Sequence, residues 1–491
     1  MLLGQILEKS AQQYPNKPAL IFQGGCLSYG EVDAQVNKLA SGLRRLGIKK
    51  GDKVGILMTN SIQFVLSYYA IARLGGVIVP LNIMLKGEEL KYILDDAEAK
   101  VLLTMDSYLK VVEGIKADLP KLENVIGDVQ RLLAEETVEK IKEEINPHDI
   151  VVYLYTSGTT GHPKGAMLSH HNLVTNCEAT QEHLKLTNQD CFMCVLPMFH
   201  TFAATVCMNT PIYLGATISI IETFIPANVL KSLAEDKVTV FAGVPSMYTV
   251  LVNMDIPEGK YNLSHLRLCI SGGSSMPVEI LNRVENKFRV RITEGYGLSE
   301  TSPVVTMNPP TEARKPGSIG TAIPGIEVKI FDDQNRELGI DQVGEIVIKG
   351  PSVMKGYYNL PEATEQAFRS GWFHSGYVGK IDQDGFIYIV DRKKDLVIVG
   401  GLNVYPREVE EVLYTHPAVA EAAVIGVPDE LRGEAVKAVV ALKQGQVATE
   451  KELMKYCRDR LATYKVPRYL EFREVLPKTG TGKILKRALK D

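Results

Sequence analysis

The 491-residue chain has no excess of charge of one sign: 55 Lys and Arg stand against 58 Asp and Glu, a net charge of −3. Dedicated nucleic-acid binders carry a clear basic surplus, so that class is not expected. It also lacks any apolar run near the roughly 20 residues that a membrane helix needs. The nearest candidate, around residues 65–85, is broken by Arg73, Gly75, Gly76 and Pro80. The first ten residues offer no basic leader and no adequate apolar core, so no signal peptide is expected, and Leu489-Lys490-Asp491 is no peroxisomal address. Cysteine is sparse: seven, odd in number and scattered, which does not make a disulfide framework. Cys191 and Cys194 form a lone CxxC with no second pair, and read as two cysteines of a buried strand before Pro197 rather than as a zinc or redox motif. These absences leave a cytoplasmic protein of ordinary globular composition, 45% hydrophobic and 23% charged.

What is present is an alternation of short β-rich runs with helical patterns. Ser28 and Glu31 form a capping box that opens a helix, with Val32, Val36, Leu39, Leu43 and Leu46 on one face and Gly47 at its end. Strands are expected at 53–58, 77–79, 100–104, 217–221, 238–242, 267–271 and 290–293, most of them separated by helices. That order predicts an α/β fold with parallel sheets covered by helices. From about Ile326 strands follow one another without helices, which predicts a β-rich subdomain. The charged stretch 391–395 is the most conspicuous junction. Beyond it, helix, strand, strand and helix patterns suffice for a separate α+β domain of about 100 residues. The predicted division is therefore 1–394 and 395–491, with the junction at 391–395. The tail from Lys465 to Lys490 is basic, with eight Lys and Arg against two Glu.

Three glycine-rich segments carry the chemistry. Tyr155 opens a run through Thr156, Ser157, Gly158, Thr159, Thr160, Gly161 and Lys164 to Gly165, directly after an apolar strand. Its glycines allow close backbone approach, while its hydroxyls and Lys164 supply donors and a positive charge, which suits a polyphosphate. It is not a Walker A loop, and the P-loop-like ending at 478–483 has Pro477 and Ile484 where that motif needs Gly and Ser or Thr. The second segment, Glu294-Gly295-Tyr296-Gly297-Leu298-Ser299-Glu300, follows an expected strand. Tyr296 offers a flat face for a base and Glu300 a hard oxygen ligand for Mg²⁺. The third is Ser271-Gly272-Gly273, again after a strand, where doubly wound sheets bind ligands.

Together with Asp391-Arg392, the stretch Val399-Gly400-Gly401-Leu402-Asn403-Val404-Tyr405-Pro406 and the terminal Lys483, these segments occur in the order found in one family. Over essentially its whole length the sequence resembles the adenylate-forming superfamily of AMP-dependent synthetases and ligases. It is most similar to fatty acyl-CoA synthetases and 4-coumarate-CoA ligases. The resemblance implies ATP, coenzyme A and a small carboxylic acid as substrates, with Mg²⁺ as cofactor and a homodimer as the candidate assembly. Acid and ATP would give acyl-AMP and pyrophosphate, after which the CoA thiol would take the acyl group.

The roles implied by that resemblance fall on particular residues. Lys483 would bridge the carboxylate and the α-phosphate, and Thr156 and Glu300 would hold Mg²⁺. Ser299 would contact phosphate, Tyr296 would stack on adenine near Gly272, Gly273 and Glu294, and Arg392 would reach ribose and phosphate. His200 would sit at the acyl pocket and gate the thiol step. The C-terminal domain would rotate about Lys394, bringing Gly400 and Gly401 to the pantetheine arm of CoA. The acyl pocket would take Phe202, Val206, Val244, Pro303 and Val304. With no Lys or Arg in those stretches, a dicarboxylate is disfavoured and a medium- or long-chain fatty acid expected. The alternatives are an aryl or 4-coumarate type of ligase and a nucleotide-binding variant impaired in turnover. The last is prompted by one departure. Related sequences place Asp after the Trp-Phe-His-Ser-Gly motif, where it accepts from both ribose hydroxyls; here the residue is Tyr377.

Overall fold

In the computed structural model, residues 1–133, 144–156, 162–257, 259–311, 313–392, 395–429, 431–480 and 482–490 are described. Two largely parallel sheets form the bulk of the chain. The six-stranded sheet runs in the order Asn124–Ile126, Ala99–Thr104, Lys53–Leu57, Val77–Pro80, Ile150–Thr156 and Lys164–Ser169. The last two strands are antiparallel, so the chain leaves the sheet at Thr156 and re-enters it at Lys164. The nine-stranded sheet has a parallel centre built from Arg291–Gly297, Leu268–Ser271, Val240–Gly243, Cys191–Cys194 and Thr217–Ile220.

Local sequence explains the elements. Ser28 Oγ accepts from the Glu31 amide and the Glu31 carboxylate accepts in return from the Ser28 amide, so Tyr29–Arg45 is capped as expected. Its Val32, Val36, Leu39 and Leu43 are fully buried. Ser61 caps Ile62–Arg73 through the Phe64 amide. One apolar core joins both sheets through the helices between them.

A five-stranded antiparallel sheet follows, of Glu327–Phe331, Gly344–Lys349, Phe368–Arg369, Trp372–Ile381 and Ile387–Arg392, interrupted by the short helix Pro361–Ala367. The C-terminal segment has its own sheet, of Val397–Val399, Leu402–Val404, Val419–Asp429, Gly433–Leu442 and Tyr469–Phe472. Helices Pro406–Tyr414 and Glu450–Arg458 pack on it around a core of its own, in which Val404, Val409, Leu413, Val424 and Leu453 are fully buried. At roughly 1.5–3 kcal/mol for each such side chain, that core stabilises the segment independently of the main body.

One expectation needs correction. The strand expected to end at Thr293 continues to Gly297, because Gly295, Tyr296 and Gly297 pair with the returning strand Val304–Met307. The motif at 294–297 is thus sheet, and only Leu298–Thr301 turns away from it. Cys191 and Cys194 do lie in a buried strand. No helix among the described residues is long and apolar enough to cross a membrane.

Candidate active site

The last hairpin of the chain lies against the turns that follow the parallel strands Val240–Gly243 and Leu268–Ser271. That hairpin is closed by Thr479 N–H donating to the Lys483 carbonyl (2.7 Å) and Gly482 N–H donating to the Thr479 carbonyl (2.8 Å). It carries Lys483 onto Gly273. At Gly273 φ is +82°, and a Cβ would lie 3.1 Å from Lys483 Cε, so the lysine stem occupies the space a side chain would need. Desolvation there and the nearby Arg392 charge lower the Lys483 ammonium to about 8.

His200 lies within electrostatic reach of this lysine. Desolvation and the Lys483 charge hold its imidazole down to about 3, so it is neutral at physiological pH. Its Nδ1 accepts from the Phe202 amide at 3.2 Å, which places the proton of the neutral ring on Nε2. Phe202, Val206, Val244, Pro303 and Val304 are all buried, with Phe202 and Val206 on one helical stretch. Thr205 Oγ1 ties that stretch to the Ser302 carbonyl at 2.8 Å, next to Pro303. A Cβ at Gly272 would come within 3.1 Å of the Phe202 ring, so the glycine-rich turn and the apolar stretch are in direct contact.

A second cluster gathers Thr156, Lys164, Glu300 and Tyr357. Glu300 lies on the 3₁₀ turn Ser299–Thr301 and is buried, and its Oε1 accepts from the Tyr357 hydroxyl at 2.9 Å. Burial pushes the Glu300 carboxyl up, opposed by the hydrogen bonds of Tyr357 and Thr156 and by the charge of Lys164. Lys164 Nζ lies 5.4 Å from the centre of the Tyr357 ring. A carboxylate and a hydroxyl in one place are hard oxygen donors of the kind Mg²⁺ takes. Tyr357 was not foreseen as a site residue. In the sequence it stands outside every glycine-rich segment that would mark it.

The third cluster surrounds Tyr296. Tyr377 and Arg392 are directly opposed on neighbouring antiparallel strands. Arg392 Nε donates to the Tyr377 hydroxyl at 2.9 Å, and the Tyr377 ring meets the Tyr296 ring edge-on at 5.2 Å. Glu294, one strand position before Gly295, is buried. Its Oε1 accepts from the Met276 amide at 3.0 Å while Oε2 has no hydrogen-bond partner among the described residues, and burial raises the carboxyl to about 7. Ser299 is half-buried at the start of the turn bearing Glu300.

Gly400 and Gly401 are not part of this assembly. They form the exposed turn between Val397–Val399 and Leu402–Val404 on the C-terminal sheet, with Gly400 N–H donating to the Arg432 carbonyl. Ser157, Gly158, Thr159, Thr160 and Gly161 of the phosphate loop, and Lys394 at the expected hinge, lie outside the described residues.

The fold and this convergence of motifs define an adenylate-forming enzyme. The chain belongs to the AMP-binding enzyme family: that family's model matches residues 7–358, and the model of the AMP-binding enzyme C-terminal domain matches 408–483. It is 40% identical to a long-chain-fatty-acid–CoA ligase of Bacillus subtilis, over 99% of this chain and 94% of that protein. It is 37% identical to a feruloyl-CoA synthase of Amycolatopsis, covering 99% and 97%. Among solved structures it superposes on ATP-bound MatB from Rhodopseudomonas palustris with a TM-score of 0.93 at 33% identity, covering 100% of this chain and 98% of that one. On the apo form of the same protein the TM-score is 0.82.

Proposed function

We propose that this acid–thiol ligase activates a medium- or long-chain fatty acid as its acyl-AMP and transfers the acyl group to coenzyme A. The observation that carries the reading is Lys483, delivered by the C-terminal hairpin to Gly273, within electrostatic reach of His200 and Arg392. In the first step a carboxylate oxygen attacks the α-phosphorus and pyrophosphate leaves. Both reactants are anionic, so the step needs fixed positive charge and in-line positioning. Lys483 supplies charge at the α-phosphate, Arg392 beside it, and Lys164 on the side of the leaving group. Glu300 and Thr156 would hold Mg²⁺, which when bound neutralises phosphate charge. The closer agreement with the ATP-bound than with the apo form of MatB supports an arrangement suited to this first step.

In the second step the thiol of coenzyme A attacks the acyl carbon, and AMP leaves. The C-terminal domain, taken as 395–491 and turning at Lys394, would withdraw Lys483 and bring Gly400 and Gly401 to the place it leaves. Their exposure on a turn with open space around both supports that role. His200, neutral and carrying its proton on Nε2, is suited to the polar junction of acid and nucleotide rather than to holding a charge. The buried, uncharged lining from Phe202 to Val206, with Val244, Pro303 and Val304, supports an aliphatic acid. The feruloyl-CoA synthase relative supports an aryl acid as the second reading. A cytoplasmic location belongs to the same proposal, supported by seven cysteines that are free thiols.

The test is release of AMP and pyrophosphate across a series of fatty acids of increasing chain length, with feruloyl and 4-coumaroyl acids beside them, each with and without CoA. AMP formation dependent on a fatty acid and CoA is the expected result. Turnover confined to the aryl acids would move the assignment to the second reading. ATP binding without turnover of any acid would make the chain the impaired nucleotide-binding variant.

A further inference from the structure

The hydrogen bonds between Thr479 and Lys483 and between Gly482 and Thr479 close the hairpin on itself but do not fix where Lys483 sits relative to Gly273. One side chain of the main body makes that connection. Ser246 Oγ donates to the Gly482 carbonyl at 3.0 Å, across 236 positions of sequence. Ser246 lies in the first turn of Pro245–Asn253, one residue inside a helix whose N-cap is Val244, so its hydroxyl is not the capping group. The fit around the bond is close. A Cβ at Gly482 would lie 3.0 Å from Ser246 Oγ and 3.1 Å from Val244 Cγ2, which leaves room only for a glycine backbone at that point. On the far side of the hairpin a Cβ at Gly480 would meet Met84 Sδ at 2.6 Å and the Asn82 amide at 3.4 Å. The hairpin is thus seated between the 82–84 loop and the start of the 245–253 helix.

We propose that Ser246 is a positioning residue for the first half-reaction: its hydrogen bond to the Gly482 carbonyl latches the hairpin and fixes the adjacent Lys483 against Gly273. This rests on the adenylating role given to Lys483 above. The bond joins the main body to the C-terminal segment, so it exists only while Lys483 lies against Gly273. It therefore stabilises the arrangement for making acyl-AMP and contributes nothing once the hairpin has withdrawn. The latch is a neutral hydrogen bond at a half-buried site, in the range where removal changes a rate by about three- to tenfold.

The experiment compares wild type, Ser246→Ala and Ser246→Thr in two separate half-reactions and in hydrogen–deuterium exchange. Ser246→Ala is expected to slow pyrophosphate formation from decanoate and ATP by about fivefold in kcat, with the KM for ATP nearly unchanged. Thioester formation from supplied decanoyl-AMP and CoA should stay at the wild-type rate. Ser246→Thr, which keeps the hydroxyl, should restore the first half-reaction. In the enzyme without substrates, the peptide containing Lys483 should exchange faster in Ser246→Ala than in wild type. Equal slowing of both half-reactions, no slowing of either, or an unchanged exchange rate would each overturn the latch. If wild type makes no pyrophosphate from any acid, the functional reading fails, while the exchange measurement still decides whether Ser246 holds the hairpin.

Discussion

The Tyr377 hydroxyl accepts a hydrogen bond from Arg392 Nε at 2.9 Å, and the same phenol ring rests edge-on against Tyr296. The one oxygen that Tyr377 offers is therefore engaged with a cation of the protein. A carboxylate at this position would pair with Arg392 through one oxygen and keep the other for ribose hydroxyls. Hydrogen bonds to charged groups are worth roughly 1.5–3 kcal/mol, against about 0.5–1.5 kcal/mol for the lost aromatic contact. Tyr377→Asp is accordingly expected to lower the KM for ATP by about tenfold or more. ATP titrations at saturating acid and CoA measure it, and unchanged kinetics would show that Tyr377 already binds the nucleotide as well as a carboxylate would.

Tyr357 is the neutral donor that keeps Glu300 usable. Burial pushes the Tyr357 phenol far above its ordinary value, so it holds its proton at every working pH. Its hydrogen bond favours the charged Glu300 carboxylate, against the desolvation that favours the neutral acid. Tyr357→Phe removes that support, so the Glu300 carboxyl moves further up. The form that binds a divalent cation is the charged one, so the acid limb of the pH–rate profile should shift to higher pH. The loss should be about five- to tenfold near pH 6 and smaller near pH 8.5. The half-saturating Mg²⁺ concentration should rise with it, and a uniform loss at all pH values would argue against this role.

Much of this was legible from sequence because the chemistry sits in contiguous motifs at strand ends. Ser28 with Glu31 announces a helix, and Glu294 to Glu300 lies in one stretch beyond an expected strand. Distance along the chain is what hid the rest. Tyr357 meets Glu300 across 57 positions, and Ser246 meets Gly482 across 236. Neither belongs to a glycine-rich segment, and a lone serine at a helix start reads as an ordinary surface residue. The extension of the strand to Gly297 was likewise invisible locally, because glycines weaken a strand signal and only the partner strand Val304–Met307 supplies the pairing. The Tyr377 departure could be seen in sequence, but its engagement with Arg392 depends on strand register.

Lys483 titrates within reach of working conditions. Desolvation and the Arg392 charge bring its free-enzyme value to about 8, and the charged form is the one that can stabilise the α-phosphate. Raising pH through that value should therefore remove activity, giving kcat/KM for ATP an alkaline limb near pH 8 in the pyrophosphate-forming half-reaction. Bound triphosphate favours the ammonium, so the limb in kcat should lie at higher pH than the limb in kcat/KM. Lys483→Ala should cost about a hundredfold or more in this half-reaction and abolish the limb. A limb that persists in Lys483→Ala would assign it to another group.

Glu294 gives a stability prediction with the opposite sign to most carboxylates. Its Oε1 accepts from the Met276 amide and its buried Oε2 has no hydrogen-bond partner among the described residues, so desolvation outweighs the favourable charge of Arg407 and raises the carboxyl from 4.5 to about 7. Between those two values the folded state holds a proton that the unfolded state has released. The folded state binds more protons there, so stability falls as pH rises and levels off above about pH 7. The deficit at pH 8 is about 3 kcal/mol relative to a side chain of the same shape that never ionises. Glu294→Gln has that shape, and its carbonyl oxygen can still accept from the Met276 amide. Arg407 keeps its contact with the Ile389 carbonyl at 2.9 Å, so it is not stranded by the change. Thermal unfolding should therefore show Glu294→Gln melting higher than wild type at pH 8, with the gap closing toward pH 5. A gap of the same size at both pH values would mean that the gain is one of packing and not of the buried charge.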